Sequence, residues 1–407
     1  MKKIVSLLMS VLLLAGCAAP EIRPPEENMQ AAVPGTSSGT VSSSMSSEPA
    51  SEPSSEEVLP PEEIYTGIFA EYMPRAEEIA AEMTVSRKLG QIILSATFAG
   101  GNDPVGLTER DQPGGYVLFK HDFEGLNADQ VREKLAAMQA VSEIPMIMAV
   151  DEEGGEVVRI SSNPQLRGER FPSQAKTYAG GSDFIRESFT ERAELLLDLG
   201  CNVMLAPVAD VSTDKNDYIH GRTVGLPAAE TADFISQAVT AAEEAGCGTA
   251  LKHFPGYGNN LNTHTDVSID ERMYETFVES DFVPFKAGFD AGCSAVMVSH
   301  NIVISMDADL PASLSPEVNR IIREELGFTG LIMTDDMGMD AIGLHTGDEE
   351  PVVLAVQSGA DLLLSQDFAG THALLTEAYE AGAITPERLD EAVVNVLCWK
   401  MHLGILE

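Results

Sequence analysis

The sequence predicts an α/β fold, a single (β/α)8 TIM-type barrel over residues 62–407, and three observations carry that expectation. Eight short, almost wholly apolar runs recur along this region, separated for the most part by helix-like patterns. Gly-Cys pairs stand at Gly200-Cys201, Gly246-Cys247 and Gly292-Cys293, 46 residues apart, each closing a helix-like stretch and opening an apolar run. The length of the region, roughly 345 residues, suits one large α/β domain, since such barrels exceed the usual domain size. An open doubly wound sheet is the structural alternative. It calls for a glycine-rich dinucleotide fingerprint after its first strand, and none is present.

The elements before the barrel come first. Met1-Lys2-Lys3, the apolar run from Ile4 to Leu14 and the small residues before Cys17 describe a secretion signal over 1–16, too short to span a bilayer. Leu14-Ala15-Gly16-Cys17 resembles a bacterial lipobox. That resemblance implies cleavage before Cys17, a diacylglyceryl anchor on its thiol, and a protein exported and tethered to the bacterial cell membrane on its extracytoplasmic face. Residues 17–61 are dominated by Ser, Pro, Glu, Gly and Ala, which bury too little apolar surface to offset ordering entropy, so a disordered spacer is expected.

The formal charge of the whole chain is -39, and -35 of it lies beyond residue 61. So acidic a domain excludes nucleic acid and anionic membrane surfaces as partners of the folded part, because both reward basic patches.

The expected strands run Gln91 to Ser95, Gly115 to Phe119, Pro145 to Asp151, Val203 to Pro207, Thr249 to His253, Ala295 to Ser299, Leu331 to Asp335 and Asp361 to Leu364. Asn127 is placed to cap a helix with Val131, Leu135 and Met138 on one face. Thr385-Pro386 supplies a cap and a first-turn proline ahead of Leu389, Val393 and Leu397. Cys201, Cys247 and Cys293, entering strands at the amino end of the barrel, read as small buried hydrophobes rather than disulfide partners.

Barrel chemistry sits where strands end. The polar groups there are Asp151, Lys252-His253 with the following Pro- and Gly-rich loop, Ser299-His300 and Asp335-Asp336. Asp151 opens Asp151-Glu152-Glu153-Gly154-Gly155, where a glycine pair allows close backbone approach to a ligand, and a carboxylate so placed suits sugar hydroxyls. A solvated acidic loop is the competing reading of that run. An aspartate facing a histidine suits glycoside hydrolysis, which needs one group to protonate the leaving oxygen and another at the anomeric carbon. His253, His264, Asp335 and Asp336 are also possible metal ligands, but HExxH, HxH and calcium-loop patterns are absent, so no metal is expected. A serine nucleophile lacks its GxSxG elbow.

Asp151-Glu152-Glu153-Gly154-Gly155 with Val157 and Arg159, Ala206-Pro207-Val208-Ala209-Asp210-Val211, Gly221-Arg222-Thr223, Lys252-His253-Phe254-Pro255-Gly256 and Thr334-Asp335-Asp336-Met337-Gly338-Met339 together resemble family 3 glycoside hydrolases, and more narrowly their β-N-acetylhexosaminidase branch. The match runs in order from Lys88-Leu89-Gly90-Gln91 to Arg388-Leu389-Asp390. The resemblance implies a retaining exo-β-N-acetylglucosaminidase acting on peptidoglycan fragments or short oligosaccharides, with Asp335 as nucleophile and His264 as general acid/base. It also implies that Asp151, Arg159, Arg222, Lys252 and His253 hold the sugar, and that Asp336 is a structural neighbour. Relatives carry an aspartate two residues before the histidine. Here that position is Asn262, with Asp266 as a substitute partner on the other side, and Tyr257 stands where many relatives have a second histidine. A β-glucosidase of the same family, or a cell-surface sugar-binding lipoprotein on a weakened hydrolase scaffold, are the alternative functions.

Overall fold

The computed structural model describes residues 66–97, 103–260, 268–338, 342, 346 and 349–407. Cys17, the spacer, Asn262, His264 and Asp266 lie outside the described residues.

Eight parallel strands form the barrel: β1 (Ile93–Ala96), β2 (Gly115–Leu118), β3 (Ile147–Val150), β4 (Val203–Met204), β5 (Gly248–Phe254), β6 (Ala295–Val298), β7 (Leu331–Thr334) and β8 (Leu363–Ser365). Each neighbours the next in sequence, and β8 returns to lie beside β1. A parallel bridge between Met333 and Leu362, with the Asp361 amide donating to the Ile332 carbonyl at 2.8 Å, joins β8 to β7 and closes the ring. Every residue of the eight strands is buried. That accounts for apolar runs without polar alternation, since the interior side chains and the outer helices cover both faces.

The punctuation of the helices follows the local chemistry. Asn127 accepts the Gln130 amide at 3.0 Å, and the Gln130 side chain accepts the Asn127 amide at 2.9 Å, so the helix Ala128–Gln139 opens with both reciprocal bonds made. Its buried face is Val131, Leu135 and Met138. Thr385 caps Pro386–His402 through the Arg388 amide, and Leu389, Val393 and Leu397 are buried. Gly200, with φ of 93°, ends Ser182–Leu199 in the left-handed region that a side chain avoids, and hands the chain directly to β4. Cys201, Cys247, Cys293 and Cys398 are all free and buried, as small hydrophobes.

All eight strands begin or end a few residues from expectation, and two of these shifts have a local cause. Gln91 ends the helix Val85–Gln91, and β1 starts only at Ile93. β4 pairs over two residues instead of extending to Pro207, whose nitrogen has no hydrogen to give a ladder; Val208 then bridges to Lys252.

Candidate active site

The carboxyl ends of the strands surround a cleft of about 350 Å³. Its walls include Val117, Leu205, Met297 and Leu364 from the strands and the loops just beyond them, and its polar lining includes Asp151, Arg159, Arg222, Lys252, His253, Asp335 and Asp336. The order of strands around the ring sets the geometry. Asp151 follows β3 and Asp335 follows β7, which stand four strands apart in a ring of eight, so the two carboxylates face each other across the mouth.

On one side lies a cradle of paired charges. Lys252, on β5, reaches Asp151 at 2.6 Å and Glu153 at 2.7 Å. Arg159 donates to the other Asp151 oxygen at 3.0 Å. Arg222 forks onto Glu153, with Nε 3.0 Å from Oε2 and a terminal nitrogen 2.7 Å from Oε1. Burial works against ionising the Asp151 and Glu153 carboxyls, but the Lys252 ammonium beside both overcomes it, aided by Arg159 at Asp151 and Arg222 at Glu153. Both carboxyls are held below the usual range. Burial likewise opposes the Lys252 charge, and the two carboxylates more than offset it, raising its pKa; Arg222 is raised for the same reason by Glu153. The cradle is therefore ionised through the neutral range.

His253 is oriented from behind. Asp210 accepts its Nδ1 hydrogen at 2.8 Å and its backbone amide at 3.0 Å, while the other Asp210 oxygen takes the Tyr257 amide at 2.7 Å. His253 Nε2, 3.1 Å from an Arg222 nitrogen, accepts that donor, which assigns the neutral ring with its proton on Nδ1. One aspartate thus holds the strand end and the start of the following loop together.

Asp335 accepts the Asp336 amide at 2.8 Å, and its own amide donates to the Val298 carbonyl at 2.9 Å. Asp336 is committed to structure: its carboxylate takes the Gly338 amide at 2.9 Å and the Gln366 side-chain amide. His300 supports it, donating from Nε2 to the Asp336 carbonyl at 3.1 Å and bonding Ser313 through Nδ1 at 2.6 Å.

The five expected sugar ligands and Asp335 are thus brought to one cleft. The acidic run after β3 is not a solvated loop, because Glu152 and Glu153 are buried. Glu152 turns inward and accepts the amides of Arg159 at 2.9 Å, Ile160 at 2.8 Å and Ser161 at 3.2 Å. The glycine pair lies at the turn of a hairpin in which Glu152–Gly154 runs antiparallel to Val157–Val158, packed against Pro172 and Ser173. A Cβ on Gly154, at φ of 91°, would meet the Pro172 carbonyl oxygen at 2.1 Å. Sequence reasoning missed Glu153 and Asp210. The signal for Glu153 was its spacing, since two residues on along an extended chain a side chain returns to the same face as Asp151.

A closed parallel barrel whose carboxyl mouth gathers ionised carboxylates and cations around one cleft defines a (β/α)8 protein with a site for a polar ligand. A family model described as glycosyl hydrolase family 3 N terminal domain matches residues 75–398, and the chain belongs to that family. Among similar proteins, a β-N-acetylglucosaminidase/β-glucosidase of Cellulomonas fimi is 28% identical over 349 residues, which cover 80% of this chain and 59% of the relative. A β-hexosaminidase of Xanthomonas campestris pv. campestris (strain B100) is 33% identical over 262 residues, 63% of this chain and 78% of the relative. The structure of a glycoside hydrolase family 3 β-N-acetylglucosaminidase from Paenibacillus sp. str. FPU-7 superposes with a TM-score of 0.72 at 28% identity, covering 79% of this chain and 63% of that one. The chain therefore spans about three fifths of the length of two of these three.

Proposed function

We propose that the protein is a retaining exo-β-N-acetylglucosaminidase that removes terminal β-linked N-acetylglucosamine from peptidoglycan fragments or short oligosaccharides. The observation that carries this reading is the opposition of Asp335 to the ionised Asp151–Lys252–Glu153–Arg222 cradle across one cleft. The cradle presents donors and acceptors already fixed in place for the hydroxyls and N-acetyl group of one pyranose, and Asp335 faces them from the strand end where an anomeric carbon is attacked.

In the first step an Asp335 carboxylate oxygen bonds to the anomeric carbon as the bond from that carbon to the leaving oxygen breaks. His264, as imidazolium, gives its proton to the leaving oxygen. Water then attacks the same carbon, His264 takes a proton from it, and Asp335 departs, so configuration is retained overall. Asn262 occupies the position that orients His264, where an amide can fix the tautomer but cannot stabilise imidazolium by charge. Asp266 is the available carboxylate on the other side. No cofactor takes part.

The test is release from chromogenic β-N-acetylglucosaminide and β-glucoside, with the first-formed anomer followed by NMR. The N-acetylglucosaminide is expected to react faster, to give the β-anomer first, and to lose at least about a thousandfold in rate in Asp335→Asn and in His264→Ala. A much faster β-glucoside would overturn the branch, and an undiminished Asp335→Asn would overturn the mechanism. A β-glucosidase is the second reading, supported by the name of the Cellulomonas fimi relative, which joins β-glucosidase to β-N-acetylglucosaminidase. Asn262→Asp is expected to raise the rate.

The lipobox-like Leu14-Ala15-Gly16-Cys17 supports an exported, lipid-anchored protein. Incorporation of labelled palmitate that persists in Cys17→Ala would overturn the anchor.

A further inference from the structure

The charged floor of the cleft is shielded, whereas the Tyr218 ring that also lines it is exposed. Tyr218 lines the cleft and is 41% exposed. Its backbone is pinned on both sides. Asp214 accepts the Asn216 amide at 2.9 Å and, through its carbonyl, the Asp217 amide at 3.1 Å, and Ser212 donates to Asp217 at 2.7 Å. On the other side, Ile219 is fully buried in a small cluster with Val208 and Tyr257, and Arg222 is locked onto Glu153. The Tyr218 ring lies 6.1 Å from that of Tyr257, tilted by 58°, and Tyr257 in turn meets His253 edge-on at 5.0 Å. A row of rings therefore leads from the cradle to solvent, and of the three only Tyr218 is exposed.

We infer that Tyr218 is the platform of a leaving-group subsite, which stacks on the apolar C–H face of the pyranose next to the one held in the cradle. The inference rests on the glycosidase reading above. The polar groups that grip a terminal sugar all lie in the floor, with side chains at most 25% exposed for Asp151, Arg159, Arg222 and Lys252. An exo-acting site directs the remainder of the glycan outward past the rim. A flat ring fixed at that rim adds contact area without the entropy cost of ordering a mobile side chain. The substrate class that follows is a β-linked disaccharide or longer chain with a pyranose leaving unit.

The experiment compares wild type, Tyr218→Ala and Tyr218→Phe on a β-linked disaccharide and on the β-glycosyl fluoride of the same sugar, in both the N-acetylglucosamine and glucose series. Tyr218→Ala is expected to lower the disaccharide-to-fluoride ratio of kcat/KM about tenfold, mainly through KM, with Tyr218→Phe close to wild type. An unchanged ratio overturns the inference. So does an equal loss on both substrates, which puts the ring in the inner pocket, or a Tyr218→Phe variant as impaired as Tyr218→Ala. Wild-type rates in the two series decide the sugar branch separately from the ratio. If neither series turns over, calorimetry tests Tyr218 through the ratio of disaccharide to monosaccharide affinity: a fall in Tyr218→Ala supports the platform, and an unchanged ratio overturns it.

Discussion

Lys252 at the carboxyl end of the barrel and Lys400 at the amino end are both buried, at 2% and 0% exposure, yet their surroundings differ in kind. Lys252 sits between the carboxylates of Asp151 and Glu153, which raise its pKa against the effect of burial. Lys400 has the neutral Gln91 side-chain oxygen at 2.6 Å, and burial pushes its ammonium down to about 7. A buried charge persists only where counter-charges replace its lost hydration, and otherwise the group gives up its proton. The mouth thus keeps fixed ions ready for a polar ligand, while the base holds a lysine that folding tends to neutralise.

The largest expected effect breaks the pairing at the mouth. Lys252→Met leaves two buried carboxylates short of a counter-ion and should cost about 3–5 kcal/mol of stability in urea unfolding, together with loss of sugar binding. The pH dependence follows the same pairing. The Asp151 and Glu153 pKa values lie below their unfolded values, so their contribution is present above the ordinary carboxylate range near pH 4 and is lost as pH falls through the depressed values. The urea midpoint of wild type should therefore fall on acidification more steeply than that of Lys252→Met.

The opposite sign is expected at the base. Lys400→Met should stabilise the protein at pH 7, because it removes a buried ammonium that has no counter-charge. Because the folded pKa of about 7 lies below the unfolded value of about 10.4, the unfolded chain binds more protons between those values. Wild-type stability should then rise with pH across that window, and the variant should lack the rise. A destabilised Lys400→Met with an unchanged pH profile would erase the contrast between the two ends.

Cys247→Ala, also at the base, should cost about 1 kcal/mol through its small cavity and leave kcat/KM unchanged. Smallest of all is the response of the described cysteines to alkylation. Burial raises the Cys201, Cys247, Cys293 and Cys398 thiols, the last two to about 12, so mass mapping of native protein treated at pH 7 should find all four unmodified.

Much of this was legible in the chain. Fully apolar runs marked strands covered on both faces, glycines after helices marked the returns to the barrel's base, and Asp151, Lys252, His253 and Asp335 were identifiable because strand ends of a barrel point to a common mouth. Glu152 and Glu153 were harder to read, since three adjacent acids in a domain of such negative charge look solvated. Their burial depends on Arg222, 69 residues beyond Glu153, on Lys252, and on backbone amides of the hairpin. Asp210 was hidden in the same way, because its three donors belong to residues 43 and 47 positions away.

By itself, the sequence determined the repeating strand–helix alternation, the caps and the identity of the residues at the strand ends. Periodicity and backbone preference act over a few residues and can be read locally. Only the closed ring decided that Asp151 faces Asp335, that Lys252 joins two acids from another strand's loop, and that Tyr218 stands at the rim with its ring open to solvent. Those relations depend on which strand ends meet in space, and buried charges take their ionisation from neighbours that the linear chain keeps far apart.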